Sequence, residues 1–132
     1  MDQVLRSMTL EFFAAGNHKI TPGRLLETKN ALFLDVRSNE EAGSISVKLR
    51  HHPSVVSKHI PVNEIPDRIE EIPKDMFIGI FCSADVRSTM VYMYLVSKGF
   101  SHVRIIKGGY PALTEALKPG SIWDSIQAKK DL

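Results

Sequence analysis

Short apolar runs alternate along this chain with stretches whose apolar residues recur at helical spacing. In residues 1–15, Val4, Leu5, Met8, Phe12 and Ala15 fall near the 3.6-residue period and Gly16 follows them, which predicts one amphipathic helix. Ile20 and Thr21 form a short extended piece. Thr21 can cap, and Pro22 can open, a helix that turns Leu25 and Leu26 inward. Residues 31–36, Ala-Leu-Phe-Leu-Asp-Val, suit a strand buried on both faces, and Ser38-Asn39-Glu40-Glu41 reads as a capped helical turn. Over residues 42–56 the alternation of Ile45, Val47 and Leu49 with Ser46, Lys48 and Arg50 predicts a half-exposed strand or an extended loop. Asn63 is an N-cap candidate for a short helix over 64–72. Residues 76–81 predict a second buried strand, 88–98 a buried helix stopped by Gly99, and Val103–Ile106 a third strand. Gly108-Gly109 turns the chain into a helix over 111–117. Pro119-Gly120 breaks it, and a last helix is expected over 122–130 with Trp123 as its anchor.

Strands alternating with helices at this rhythm imply an α/β domain with a largely parallel sheet, whose active site lies at the carboxyl ends of the strands. At 132 residues the chain holds one domain: an N-terminal helix over 1–16 packed on a body of 17–120, and a helical tail over 121–132. Seventeen basic against fifteen acidic residues leave a formal charge of +2, too balanced for a protein that must neutralise many phosphates, so no nucleic-acid partner is expected. No apolar run approaches the ~20 residues of a membrane span. The first sixteen residues carry Asp2, Arg6 and Glu11 at intervals and lack a signal-peptide core, so a cytoplasmic location is expected. One cysteine, Cys82, excludes an internal disulfide and a cysteine-rich zinc site.

That cysteine carries the chemistry. It follows a buried strand at once and precedes a helix expected five or six residues later, in the order Cys82-Ser83-Ala84-Asp85-Val86-Arg87-Ser88. A short loop curling into a helix N-terminus points backbone N–H groups at one place, where they and the helix dipole stabilise an anion. A thiolate there is a good nucleophile. Arg87 adds a planar cation able to grip loop carbonyls or an anionic substrate. The alternative is a small buried apolar cysteine with no chemistry.

At these residues the sequence resembles the rhodanese (sulfurtransferase) family. Leu32-Phe33-Leu34-Asp35-Val36-Arg37 is similar to the family's strand ending in Asp-Val-Arg. Ile60-Pro61 and the Cys82 loop follow in order. Lys107-Gly108-Gly109-Tyr110-Pro111-Ala112-Leu113 is similar to its Gly-Gly-aromatic segment. The resemblance covers residues 20–118. It implies a single rhodanese-like domain, an open, mostly parallel five-stranded sheet with helices on both faces. It also implies a catalytic cysteine that passes a persulfide sulfur from a sulfane-sulfur donor (polysulfide, persulfide or thiosulfate) to a thiol or cyanide acceptor, without metal or organic cofactor. The segment 42–57 is longer and more basic than the family's. Cys82 to Arg87 spacing is Cys-x4-Arg, one residue shorter than the Cys-x5-Arg of the related phosphatases, and so suits one sulfur atom on the cysteine better than a tetrahedral phosphate. A non-catalytic interaction module and a phosphatase-like or arsenate-reducing enzyme are the alternatives.

Asp35 and Arg37 are expected at a strand end on the same edge as Cys82, as hydrogen-bonding support for the loop or as a structural ion pair. His51, His52 and His59 lie in a segment, 42–63, without an acidic residue. Neighbouring histidines on extended chain face opposite ways, so they predict a solvated basic rim rather than a metal site. Met90, Tyr92, Met93 and Tyr94 are expected in the core. Asp85, the one charged residue between Cys82 and Arg87, is expected to repel a compact dianion such as thiosulfate. Trp123 and the first helix could instead serve a homodimer contact.

Overall fold

The structure is a computed structural model that describes residues 1–47, 49 and 52–118. The elements run α1 (Asp2–Ser7), α2 (Leu10–Ala15), β1 (Lys19–Ile20), α3 (Pro22–Leu26), β2 (Ala31–Asp35), α4 (Asn39–Ser44) and β3 (Val55–His59). Two 3₁₀ segments follow, Val62–Glu64 and Pro66–Glu71, then β4 (Phe77–Phe81), α5 (Val86–Ser97), β5 (Val103–Ile106) and α6 (Gly109–Leu117). All strand pairings are parallel, in the spatial order β1-β5-β4-β2-β3. From β2 the chain steps outward to β3, then returns to the other side of β2 for β4 and continues away to β5. The order therefore reverses between β2 and β4, and the crevice of such a sheet opens at their carboxyl ends. There Asp35 stands in register with Phe81, the residue before Cys82.

Side-chain alternation explains why both central strands read as continuous apolar runs. Leu32, Leu34, Ile78 and Ile80 face a core closed by α5, the 3₁₀ segments and, at its margin, Met8 and Phe12. Ala31, Phe33 and Phe81 face the other core with Leu25 of α3 and Leu113 of α6. Gly79 sits on that second face because any Cβ there would lie 2.6 Å from Leu25 Cδ2.

Several expectations are corrected by the structure. The N-terminal segment is two helices rather than one. Thr9 is extended, and its hydroxyl accepts from Phe12 N at 3.3 Å, capping α2 and breaking the helix after Ser7. Val4 is buried, whereas Leu5 is exposed. The helix over 64–72 is replaced by two 3₁₀ turns. Pro61, not Asn63, stands at the start of the first, because Pro66 and a non-helical Arg68 interrupt any longer α-helix. Among the described residues of 42–56, the first three belong to α4 and none between Ser44 and Val55 lies in a strand, so the loop alternative holds there, with Val47 and Leu49 leaning on the second core. Met90 is 59% exposed, unlike the buried Tyr92 on the same helix. The tail over 121–132 with Trp123 lies outside the described residues, as do Lys48, Arg50 and His51. Among the described residues no helix is long and apolar enough to cross a membrane.

Candidate active site

β4 delivers Cys82 to the crevice, and the chain turns through Ser83 and Ala84 to Asp85, which adopts the left-handed conformation (φ 68°) and starts α5. The helix begins at Val86, earlier than the sequence suggested. Val86, Arg87 and Ser88 are therefore its first turn rather than loop. Val86 is 62% exposed and Ala84 is also exposed. Asp85 offers no side-chain cap to α5. Instead the Ser88 N–H, one of the free amides of the helix's first turn, donates to Cys82 Sγ at 3.3 Å. The sulfur thus occupies the place of a capping acceptor at the positive end of a twelve-residue helix. Ser88 Oγ lies 3.4 Å from the same sulfur and donates to the Asp85 carbonyl at 3.0 Å. Cys82 keeps only 1% of its accessible surface, so the thiol is recessed.

Arg87 neither grips loop carbonyls nor stands free for a substrate. Its Nη1 and Nη2 donate to Glu41 Oε1 and Oε2 at 2.5 and 2.8 Å, and Nη2 also donates to Ser83 Oγ at 2.8 Å. The arginine ties the first residue of the loop to the start of α4. Glu41 is itself held by a capping box: Ser38 N donates to its Oε1, and its own N donates to Ser38 Oγ, both at 3.2 Å. The guanidinium of Arg87, with smaller help from Ser38, lowers the Glu41 carboxyl to about 2, and Glu41 in turn raises Arg87.

Asp35 and Arg37 form a buried fork below this layer. Arg37 is 1% exposed and donates from Nε and Nη2 to the Asp35 carboxylate at 2.7–3.1 Å. Its Nη1 donates to the Ile45 carbonyl at 2.6 Å and to Tyr110 Oη at 3.0 Å, and its guanidinium lies over the Phe81 and Tyr110 rings. The hydrogen bonds of the pair therefore reach α4's exit and α6, not residues 82–88. The pair raises Arg37 further above its ordinary value, mainly through Asp35. The second layer is completed by His59, whose Nε2 donates to the Arg37 carbonyl at 2.7 Å. Lys58 pairs with Glu71 at 3.1 Å. Neither residue is part of a free basic rim.

Two positions that contact the thiol loop carry no local signal of it in the sequence. Glu41 enters the sequence reading only as part of a capped helical turn, since nothing in the chain announces a partner forty-six residues away. Gly109 was read as a turn. It has φ +57°, and a Cβ there would run into the Ser83 carbonyl oxygen, so only glycine lets α6 approach the thiol loop. The neighbouring Gly108 N–H donates to Asp85 Oδ2 at 3.0 Å, while Asp85 Oδ1 is enclosed without a partner. Among the described residues no group of acids, histidines and cysteine is arranged to hold a metal ion.

Known proteins are similar to this chain in sequence and fold. The chain is 31% identical over 86 residues, 65% of its length, to a sulfurtransferase of Allochromatium vinosum, of which it covers 74%. It is 33% identical over 95 residues, 71% of its length, to the putative sulfurtransferase YtwF of Bacillus subtilis, of which it covers 84%. The crystal structure of a rhodanese-like domain protein from Staphylococcus aureus superposes with a TM-score of 0.60 at 30% identity, covering 72% of this chain and 89% of that one. A tRNA uridine(34) hydroxylase of Prochlorococcus marinus is 29% identical over 111 residues, 76% of this chain, but the chain spans only 33% of that protein. The model of the rhodanese-like domain matches residues 23–116, from the start of α3 to the end of α6, and the chain belongs to that family.

Proposed function

We propose that the protein is a sulfurtransferase that carries one sulfur atom on Cys82. The observation that supports this reading is the Ser88 N–H donated to Cys82 Sγ at the N-terminus of α5, while both Nη groups of Arg87 are engaged by Glu41 and Ser83. A phosphatase of this architecture uses its arginine on the phosphate. Here the loop is one residue shorter and its arginine is spent on holding the loop.

The Cys82 thiolate attacks the outer sulfur of a polysulfide, persulfide or thiosulfate. The donor's sulfur–sulfur bond breaks, and its electron pair leaves with the donor remnant, which for thiosulfate is sulfite. The product is a Cys82 persulfide anion, stabilised by the same amide and helix dipole that held the thiolate. An acceptor such as cyanide, a small thiol or a protein cysteine then bonds to the outer sulfur, and the electron pair returns to Cys82. With one cysteine in the chain, the acceptor is always external. The recessed thiol requires each partner to present its reacting atom end-on. Asp35 and Arg37 hold the strand end beneath the loop, and Ser83 and Ser88 fix its two ends.

The test is intact-mass analysis after exposure to polysulfide. A gain of one sulfur on the native chain, absent from a folded Cys82→Ser variant, supports transfer. Cyanide should then strip it with release of thiocyanate. The burial of Cys82, together with the exposed Val86 and Met90 on the helix that follows it, favours one second reading, a module that binds a partner without chemistry. That reading predicts no sulfur adduct under the same conditions.

A further inference from the structure

At the β1 edge of the sheet, far from β3, the turn between α2 and β1, the edge strand itself, α3 and the start of β4 enclose a concavity of about 470 Å³. Lys19, Arg24, Arg104 and Lys107 line it, and no acidic residue does. The chain as a whole is nearly balanced, so this segregation is local. Elsewhere Arg37, Lys58, Arg68, Arg87 and Lys118 each sit against a carboxylate. Among the described residues none of the four cations here forms such a pair. Arg104 donates to the Val103 carbonyl at 2.8 Å and lies over the half-buried Phe77 ring, which fixes its guanidinium at the wall. His18, which precedes Lys19, is disfavoured from protonation first by burial and then by the charges of Lys19 and Arg104.

Like charges gathered around a concave wall repel one another and focus potential toward its mouth, and an anion from outside relieves both. Two of the four are arginines, whose planar forks match phosphate oxygens, and they come from different elements, α3 and β5. The volume falls in the range of small-molecule sites, roughly 300–1,000 Å³. One phosphate group would engage only part of this wall, whereas a chain of them can satisfy cations on both α3 and β5. We propose that this concavity binds a small molecule bearing a chain of two or three phosphate groups, of the nucleoside triphosphate or inorganic polyphosphate class. The site is separate from the thiol. It meets the active loop only through Lys107, whose successor Gly108 holds Asp85.

The full chain should be titrated calorimetrically at low salt with inorganic phosphate, tripolyphosphate, ATP and a single-stranded RNA oligonucleotide. Tripolyphosphate and ATP should saturate one site, about tenfold or more tighter than inorganic phosphate. Equal affinities for the two would assign recognition to the phosphate chain, and tighter ATP would assign part of it to the nucleoside; both support the site. Arg24→Gln and Lys107→Gln alter exposed side chains and should each weaken binding by about fivefold or more, while Lys29→Gln, exposed outside the concavity, should change it by less than about twofold. Absence of saturable binding overturns the proposal, as does an equal loss in Lys29→Gln. RNA binding that ATP cannot compete away overturns it in favour of a nucleic-acid surface.

Discussion

Asp85 combines two roles that substitution can separate. Its backbone is left-handed, its carbonyl accepts from Thr89 N, Thr89 Oγ1 and Ser88 Oγ, and its carboxylate accepts the Gly108 N–H. Alanine removes the anchor and places a residue that tolerates φ > 0 poorly. The conformational cost is about 1 kcal/mol. Losing a partly exposed hydrogen bond adds about 1 kcal/mol, for a total of about 2. Asparagine tolerates the conformation and keeps an acceptor for Gly108, so Asp85→Asn should stay within about 1 kcal/mol of the native protein in a urea titration. Both substitutions delete the charge. If the carboxylate opposes thiosulfate at about 6–8 Å, solvent screening leaves roughly 1–2 kcal/mol, a five- to thirtyfold effect on KM. In a thiosulfate:cyanide assay Asp85→Asn should therefore lower KM by about that factor at low salt and by less at high salt, with a smaller effect for polysulfide. An unchanged thiosulfate KM in the folded asparagine variant refutes the electrostatic reasoning. Equal stability of the alanine and asparagine variants refutes the anchoring reasoning.

The remaining predictions concern the elements around the loop. Arg87→Lys keeps the charge but cannot bridge both Glu41 oxygens and Ser83, so its turnover should fall almost as far as that of Arg87→Ala; rescue by lysine would reduce Arg87 to a point charge. Because Arg87 lowers the Glu41 carboxyl to about 2 from an ordinary 4.5, the contribution of this pair to stability is complete above about 4.5 and fades as pH falls toward 2. Glu41→Gln should flatten that part of the stability–pH profile, and an unaltered profile would count against the pairing. Gly109→Ala should impair sulfur loading about tenfold or more while β-sheet content by circular dichroism is retained, since both the positive φ and the Ser83 contact oppose a Cβ. His18 is buried against Phe12 and Phe13, its Nδ1 has no partner, and burial together with Lys19 and Arg104 lowers its affinity for protons. Its folded value lies below the unfolded one, so stability should drop as pH falls through the unfolded value of 6.5 and below. Amide exchange in α1 and α2 should rise over that range in the native protein and not in His18→Gln.

What could be read from the chain and what could not divides along the distance over which residues act. β2 and β4 were legible because each is a run of apolar residues buried on both faces of a parallel sheet, a state that leaves an unbroken signature. The position of Cys82 followed from those strands, and the grip of a helix N-terminus on its sulfur followed from the spacing to the next helix. The capped helical turn at Ser38–Glu41 is legible for the same reason, since the contacts of its capping box span only three residues. The second task of Glu41 is not. Nothing local tells a capping glutamate that an arginine forty-six residues later will land on its free oxygens, because only the sheet order, which sets β4 beside β2, brings α4 and α5 to one edge. For Arg87 the sequence therefore offers only loop carbonyls or an anionic substrate, whereas the fold supplies a carboxylate from elsewhere. The break at Thr9 shows the opposite failure. The helical period ran on through it, but one hydroxyl turned back on Phe12 N was enough to end one helix and cap the next. Asp85 lies between these cases. Its acidity was legible and invited a reading in terms of charge alone, whereas its left-handed backbone, its bond to Gly108 and the close approach of Gly109 to Ser83 show that the same residue also fixes where the thiol loop can sit.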